Sequence, residues 1–125
     1  MPYTILCVED DDGVRASTEA ILKQAGFHLL AAKDGEEALR LLGKNKVDVL
    51  FSDIVMPGIS GTELAQQVRR RYPDVKIMLM TGYYSRAAEA VKLGKLMFKP
   101  LRGALMIEEL TNLVLRPSGI RGAPG

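Results

Sequence analysis

The feature that most constrains this chain is an alternation kept up from end to end. Short apolar runs are each followed by a longer segment whose apolar positions recur at helical spacing. A parallel sheet requires this, because consecutive parallel strands need a crossover of about a dozen residues or more, usually a helix. Residues 3–8 read as a first strand. Residues 14–25 place Val14, Ile21, Leu22 and Ala25 near helical spacing, with Asp12 expected to cap the helix and Gly26 to end it. Residues 28–32 form a second strand, 36–42 a second helix closed by Gly43, and 47–52 a third strand. That third run is almost unbroken in its apolar character, the mark of a central strand buried on both faces. Met56-Pro57-Gly58-Ile59-Ser60-Gly61 is a loop by its Pro and Gly content, and 62–72 is a helix stopped by Pro73. Residues 76–80 give a fourth strand ending at Thr81-Gly82, 85–93 a fourth helix of about two turns, 95–98 a fifth strand and 104–115 a last helix. The expected architecture is α/β, (βα)5, with residues 1–116 as one domain and 117–125, PSGIRGAPG, as a flexible tail or linker stub.

Composition narrows the function classes. At 125 residues, 47% hydrophobic and 26% charged, the chain suits one packed domain. Seventeen basic against 15 acidic residues leave a net charge of +2, too little to mark a nucleic-acid or anionic-lipid surface, so neither is an expected partner. Cys7, the single cysteine, sits in an apolar run and reads as a core residue. The chain shows neither a secretory signal pattern nor an apolar run of about 18 residues, so a reducing, cytoplasmic setting is the expectation.

In an open parallel sheet every strand delivers its C-terminal end to the same edge, and ligands bind there, where strand order reverses. At that edge strand one ends in Glu9 and Asp10, strand three in Asp53, strand four in Thr81 and strand five in Lys99-Pro100; strand two ends only in Lys33-Asp34-Gly35. Two carboxylates about 4 Å apart repel by roughly 4 kcal/mol at an effective dielectric near 20. A hard divalent cation relieves that repulsion, and Mg2+ is usually held by one or two carboxylates together with phosphate oxygens. The edge is poor in His and Cys, against zinc or copper, and the lone His28 has no partner ligand in sequence.

The pieces Leu6-Cys7-Val8-Glu9-Asp10, Ser52-Asp53-Ile54-Val55-Met56-Pro57-Gly58-Ile59-Ser60-Gly61, Met80-Thr81-Gly82 and Phe98-Lys99-Pro100, in that order and at those strand ends, closely resemble the receiver domain of two-component response regulators. The resemblance covers residues 3–115. It implies a flavodoxin-like, doubly wound sandwich with a five-stranded parallel sheet of order 2-1-3-4-5. It further implies that Asp53 is the phosphoacceptor, taking a phosphoryl group from a histidine kinase, a phosphotransfer protein or a small phosphodonor. Glu9, Asp10, Asp53 and the backbone carbonyl of Val55 would hold Mg2+. Lys99 would pair with phosphoryl oxygens, and Thr81 with the N–H groups after Asp53 would complete the cradle. Phosphoryl transfer needs mainly positioning and charge neutralisation, which such a set supplies. Lys99-Pro100 resembles the family's cis peptide. The implied function is a signalling module and not a turnover enzyme: one that promotes its own Mg2+-dependent phosphorylation and slow dephosphorylation, and binds a downstream protein through its fourth helix, fifth strand and fifth helix.

Several positions depart from the family pattern. The strand-five position that commonly holds a switching aromatic is Leu96; Phe98 shares its face by the period of two without being the same device. Thr81 and Lys99 lie close together in sequence, so the fourth helix or its flanking loops must be short. Thr81-Gly82-Tyr83 is similar to a variant group of receivers with a reduced fourth helix, and Tyr83 and Tyr84 are candidate partner-binding aromatics. Val55 and Tyr83 flank the route of an attacking water and offer it no carboxylate or amide. Arg69-Arg70-Arg71 suits a helix C-terminus and solvent. A phosphorylation-independent pseudo-receiver is the alternative function. An aspartyl-phosphate phosphohydrolase fits less well, since it generally wants an Asp two places after the nucleophile, where Val55 stands, and an FMN carrier is weaker still because the first loop is acidic.

Overall fold

The computed structural model describes residues 2–83, 87–99 and 102–115. Among the described residues ten elements alternate: β1 (Thr4–Val8), α1 (Asp12–Gln24), β2 (His28–Ala32), α2 (Gly35–Lys44), β3 (Val49–Asp53), α3 (Gly61–Arg71), β4 (Lys76–Thr81), α4 (Ala87–Ala90), β5 (Lys95–Phe98) and α5 (Gly103–Leu115). The strands pair in parallel in the order β2-β1-β3-β4-β5, as the resemblance implies. Two apolar layers sandwich the sheet. Leu6, Val8, Leu50, Ile54, Ile77 and Leu79 face α2, α3 and α4, where they meet Leu42, Leu64, Val68 and Ala90. Ile5, Cys7, Val49, Phe51, Met78 and Met80 face the other way, onto Leu22 of α1 and Met106, Leu110 and Leu113 of α5. β3 is buried along its whole length. Each of its large side chains contributes about 1.5–3 kcal/mol by leaving water, which fixes the central strand and, with it, the position of Asp53 at its tip.

Helix ends correct the sequence reading in three places. Asp11, not Asp12, is the N-cap of α1: its Oδ1 accepts the Val14 N–H at 2.9 Å. Asp12 is the first helical residue and pairs with Arg15 at 2.6 Å. Gly43 does not close α2, which runs through it to Lys44 and stops at Asn45, whose Nδ2 donates to the Leu41 carbonyl at 3.0 Å. An amide side chain that satisfies a last-turn carbonyl does the work expected of the glycine. α3 begins at a capping box, with Ser60 Oγ accepting the Glu63 N–H at 3.1 Å and Glu63 Oε1 accepting the Ser60 N–H at 3.0 Å. α4 is described from Ala87 and ends at Ala90, short of the expected 93, and residues 91–93 continue it only as turns, while 85 and 86 lie outside the described residues. The calls on Tyr84, on the Lys99-Pro100 isomer and on the tail at 117–125 lie outside the described residues. Among the described residues no helix is long and apolar enough to cross a membrane.

Candidate functional site

Strand register builds the site. Val8 pairs with Ser52 across β1 and β3, so the next residues, Glu9 and Asp53, leave the sheet side by side at its topological switch point. Asp53 in turn pairs with Met80 of β4, and Thr81 pairs with Phe98 of β5. One residue further on, the Lys99 N–H donates to the Thr81 carbonyl at 2.9 Å and extends that ladder. Four strands thereby deliver Glu9, Asp53, Thr81 and Lys99 to one edge. The sequence placed Asp53 and Thr81 just beyond their strands; each is the last residue of its strand, which holds its backbone more firmly.

Glu9 is 2% exposed, Asp53 6%, and Thr81 fully buried, while Asp10 is exposed at the rim. One oxygen each from Glu9, Asp10 and Asp53 lies within 4.8 Å of the others. Lys99 Nζ reaches across from β5 and donates to Glu9 Oε1 at 3.1 Å and Asp53 Oδ2 at 2.8 Å. Glu9 Oε2 accepts the Asp11 N–H at 3.1 Å. Burial pushes the Glu9 carboxyl above the ordinary range, and the Asp53 charge adds to that; the Asp11 N–H and Lys99 pull the other way without cancelling it. For Lys99, burial disfavours the charge, but hydrogen bonds to Asp53 and Glu9 outweigh it and leave the ammonium above its usual range. Three carboxylates thus face one ammonium.

That donor set fits magnesium. It is all oxygen, and its three atoms lie within 4.8 Å of one another, against about 4 Å between opposite ligands in an octahedron of roughly 2.1 Å bonds. The remaining expected residues stand close by. Asp53 Oδ1 accepts the Val55 N–H at 3.4 Å, and the Thr81 hydroxyl accepts the Tyr83 N–H at 3.0 Å. Backbone approach explains Gly61, since a Cβ there would lie 2.1 Å from the Asp53 carbonyl oxygen and 2.7 Å from Ile54 Cα. Gly58, at φ +77°, makes the turn before it. Sequence reasoning missed Arg15: its Nη1 donates to the Glu9 carbonyl at 2.9 Å while Nη2 holds Asp12, tying the acidic turn to α1. The only sequence signal for it was an Asp and an Arg three positions apart on a helix.

Comparison with known proteins agrees with this fold. The family model "Response regulator receiver domain" matches residues 5–111. The response regulator receiver protein CpdR of Brucella abortus is 31% identical over 115 residues, covering 89% of this chain and 96% of that one. The uncharacterized transcriptional regulatory protein YrkP of Bacillus subtilis is 43% identical over 82 residues, 66% of this chain but 35% of YrkP. The chain likewise covers 9% of the Brucella abortus sensor kinase CckA and 20% of the Pseudomonas aeruginosa response regulator FleR. Among solved structures, the Thermotoga maritima response regulator TrrA in complex with Mg2+ and BeF superposes with a TM-score of 0.83 at 30% identity, covering 89% of this chain and 98% of TrrA. On the match over residues 5–111 and the shared fold, this chain belongs to the receiver domain family of two-component response regulators.

Proposed function

We propose that residues 1–116 act as a phosphoacceptor switch, with Asp53 as the acceptor. What carries the reading is the bridge made by Lys99, which contacts carboxylates from two different strands beside a third. In the transfer a carboxylate oxygen of Asp53 forms the new P–O bond. The P–N bond of a donor phosphohistidine breaks, its electron pair stays on the imidazole nitrogen, and that ring keeps or regains a proton from solvent. Glu9, Asp10, Asp53 and the Val55 carbonyl would hold Mg2+, which when bound offsets the negative charge gathered on the phosphoryl oxygens. Lys99 is already within hydrogen-bond reach of Asp53 and pairs with a phosphoryl oxygen once Asp53 is esterified. Thr81 contributes its hydroxyl from the buried end of β4, and Gly82 leaves the entrance open, with nothing among the described residues within 4 Å of the place a Cβ would take.

The donor is a histidine kinase or phosphotransfer protein, and the signal passes to a downstream protein through the face made by α4, β5 and α5, in the cytoplasm. Incubation with Mg2+ and acetyl phosphate, followed by intact mass, tests the reading: one phosphoryl group should appear on the native chain and none on Asp53→Asn. Lack of uptake at millimolar Mg2+ by a folded chain would reject it in favour of a phosphorylation-independent binding module, the reading favoured by Leu96 in β5 and the early end of α4 at Ala90.

A further inference from the structure

Glu9 and Asp10 are consecutive, so the directions of two of the three carboxylates at the site depend on one peptide plane, the one that joins them. The peptide before Glu9 is still held by the sheet: β1 ends at Val8, and the Glu9 N–H donates one step further, to the Ala32 carbonyl at 3.1 Å. The peptide after Glu9 has left the ladder and is held by Arg15, whose Nη1 donates to the Glu9 carbonyl at 2.9 Å. Through Nη2 the same guanidinium grips Asp12 Oδ1 at 2.6 Å. A planar fork with fixed N–H directions thereby spans residues 9–12 and closes a small loop around Asp10 and Asp11. Arg15 is itself set in the first turn of α1, its backbone N–H bonded to the Asp11 carbonyl at 2.9 Å and its side chain only 21% exposed. Within the loop Asp11 is committed at both ends, its N–H to Glu9 Oε2 at 3.1 Å and its Oδ1 to the Val14 N–H at 2.9 Å. The acidic turn is thus shaped before any cation arrives.

Charge alone would give Arg15 the opposite effect. A fixed cation beside the turn repels a divalent cation through space, while the geometry it imposes favours the same ion. The first effect is small, because the guanidinium is already paired with Asp12 and faces solvent in part, where paired charges are screened. The second is larger: a hydrogen-bond partner that orients a metal ligand is typically worth about 10–100-fold in affinity. We propose that Arg15 is a positioning residue for the magnesium site, one that presets Glu9 and Asp10 against Asp53 by holding the peptide between them and so sets the Mg2+ affinity of the pocket. The proposal rests on the reading of Asp53 as a Mg2+-dependent phosphoacceptor and assigns Arg15 a part in it that goes through the Glu9 backbone, not through contact with the phosphoryl group.

The test uses the full chain, 15N-labelled, titrated with MgCl2 in the absence of a phosphodonor and followed at the amides of residues 9–12 and 53–55. Arg15→Met, which keeps an apolar stem and removes the fork, should bind Mg2+ about tenfold more weakly than the native chain. Arg15→Lys, which keeps the charge and a single donor group, should fall between the two; thermal melts verify that both variants remain folded. With acetyl phosphate added, the Mg2+ concentration that gives half the maximal phosphorylation rate should rise by the same factor in Arg15→Met, while the maximal rate changes much less. Mg2+ binding by Arg15→Met that equals or exceeds the native affinity overturns the proposal, since only the through-space charge would then count. A fall in maximal rate with the affinity unchanged overturns it as well. A native chain that binds Mg2+ but takes no phosphoryl group overturns the acceptor reading alone, because the metal titration still decides the role of Arg15, whereas a native chain without Mg2+ shifts overturns both.

Discussion

Asp10→Asn should make the metal-free protein more stable and the magnesium-loaded protein less so. In the metal-free chain Asp10 lies with its oxygen within 4.8 Å of those of Glu9 and Asp53. At that distance one like-charge pair costs about 3.5 kcal/mol at an effective dielectric of 20 and about 0.9 kcal/mol in bulk water. Asp10 is exposed, so the lower figure governs. Lys99 sits in the same cluster and cancels roughly one of the two repulsions. The substitution therefore relieves about 1 kcal/mol, a rise in Tm of about 4 °C for a domain of this size. With Mg2+ at a hundred times its Kd, the native chain gains about 2.7 kcal/mol by mass action, and a variant short of one charged ligand gains much less, so the order of stability inverts. Urea unfolding followed by far-UV circular dichroism, in EDTA and then in saturating Mg2+, measures both arms. Raising NaCl should shrink the difference in EDTA, because the pair is partly screened. A variant less stable than the native chain in EDTA, or equally stabilised by Mg2+, would refute the account of a repulsive cluster awaiting a cation.

Three further outcomes are expected. Gly61→Ala should destabilise by about 1–3 kcal/mol or more, since its Cβ would meet the Asp53 carbonyl at 2.1 Å; urea unfolding checks this, and a slower phosphorylation rate should accompany it because the acceptor backbone must shift. The phosphorylated chain should lose its phosphoryl group on the order of minutes or slower, because Val55 and Tyr83, 41% and 60% exposed beside the pocket, cannot act as acid or base on the attacking water; decay within seconds after donor removal would contradict it. Cys7 is fully buried and its thiol is pushed up to about 12, chiefly by burial and then by the Glu9 charge. Its contribution to stability is complete below the unfolded thiol's value near 9.0 and is lost as pH rises from there toward about 12. Cys7→Ala should accordingly flatten the alkaline fall in stability, measured as the difference between the two chains from pH 8 to 11, and the native thiol should resist iodoacetamide until urea is added.

The sheet and the acidic edge were legible because each rests on a periodic or a repeated signal. The apolar run that became β3 is long and nearly unbroken, so its central position followed from burial on both faces. Once β3 is central and strand order reverses beside it, Glu9 and Asp53 must be neighbours, and the register of Val8 against Ser52 realises that. Lys99 followed from the same logic at the end of β5. These inferences use the direction of the strands, which the alternation supplies, and their order, which the family resemblance implies.

What stayed illegible was decided by single side chains choosing among equivalent partners. Asp11 and Asp12 are chemically alike, and either could cap a helix; Asp11 takes the role because the extended φ/ψ of a cap falls on it, leaving Asp12 to Arg15. Gly43 carries the usual stop signal, but Asn45 reaches back to Leu41 and α2 continues through the glycine. Arg69 belonged to a basic run with an adequate explanation in the helix dipole, and only the fold shows it bound to the Lys92 carbonyl, 23 positions away. Both ends of β4 were therefore unequal to the reader of sequence. At Thr81 the site is assembled from residues whose strand ends must meet, whereas at Lys76 four cations are brought together by α3, the α4–β5 turn and two strand starts, a meeting that has no motif to announce it.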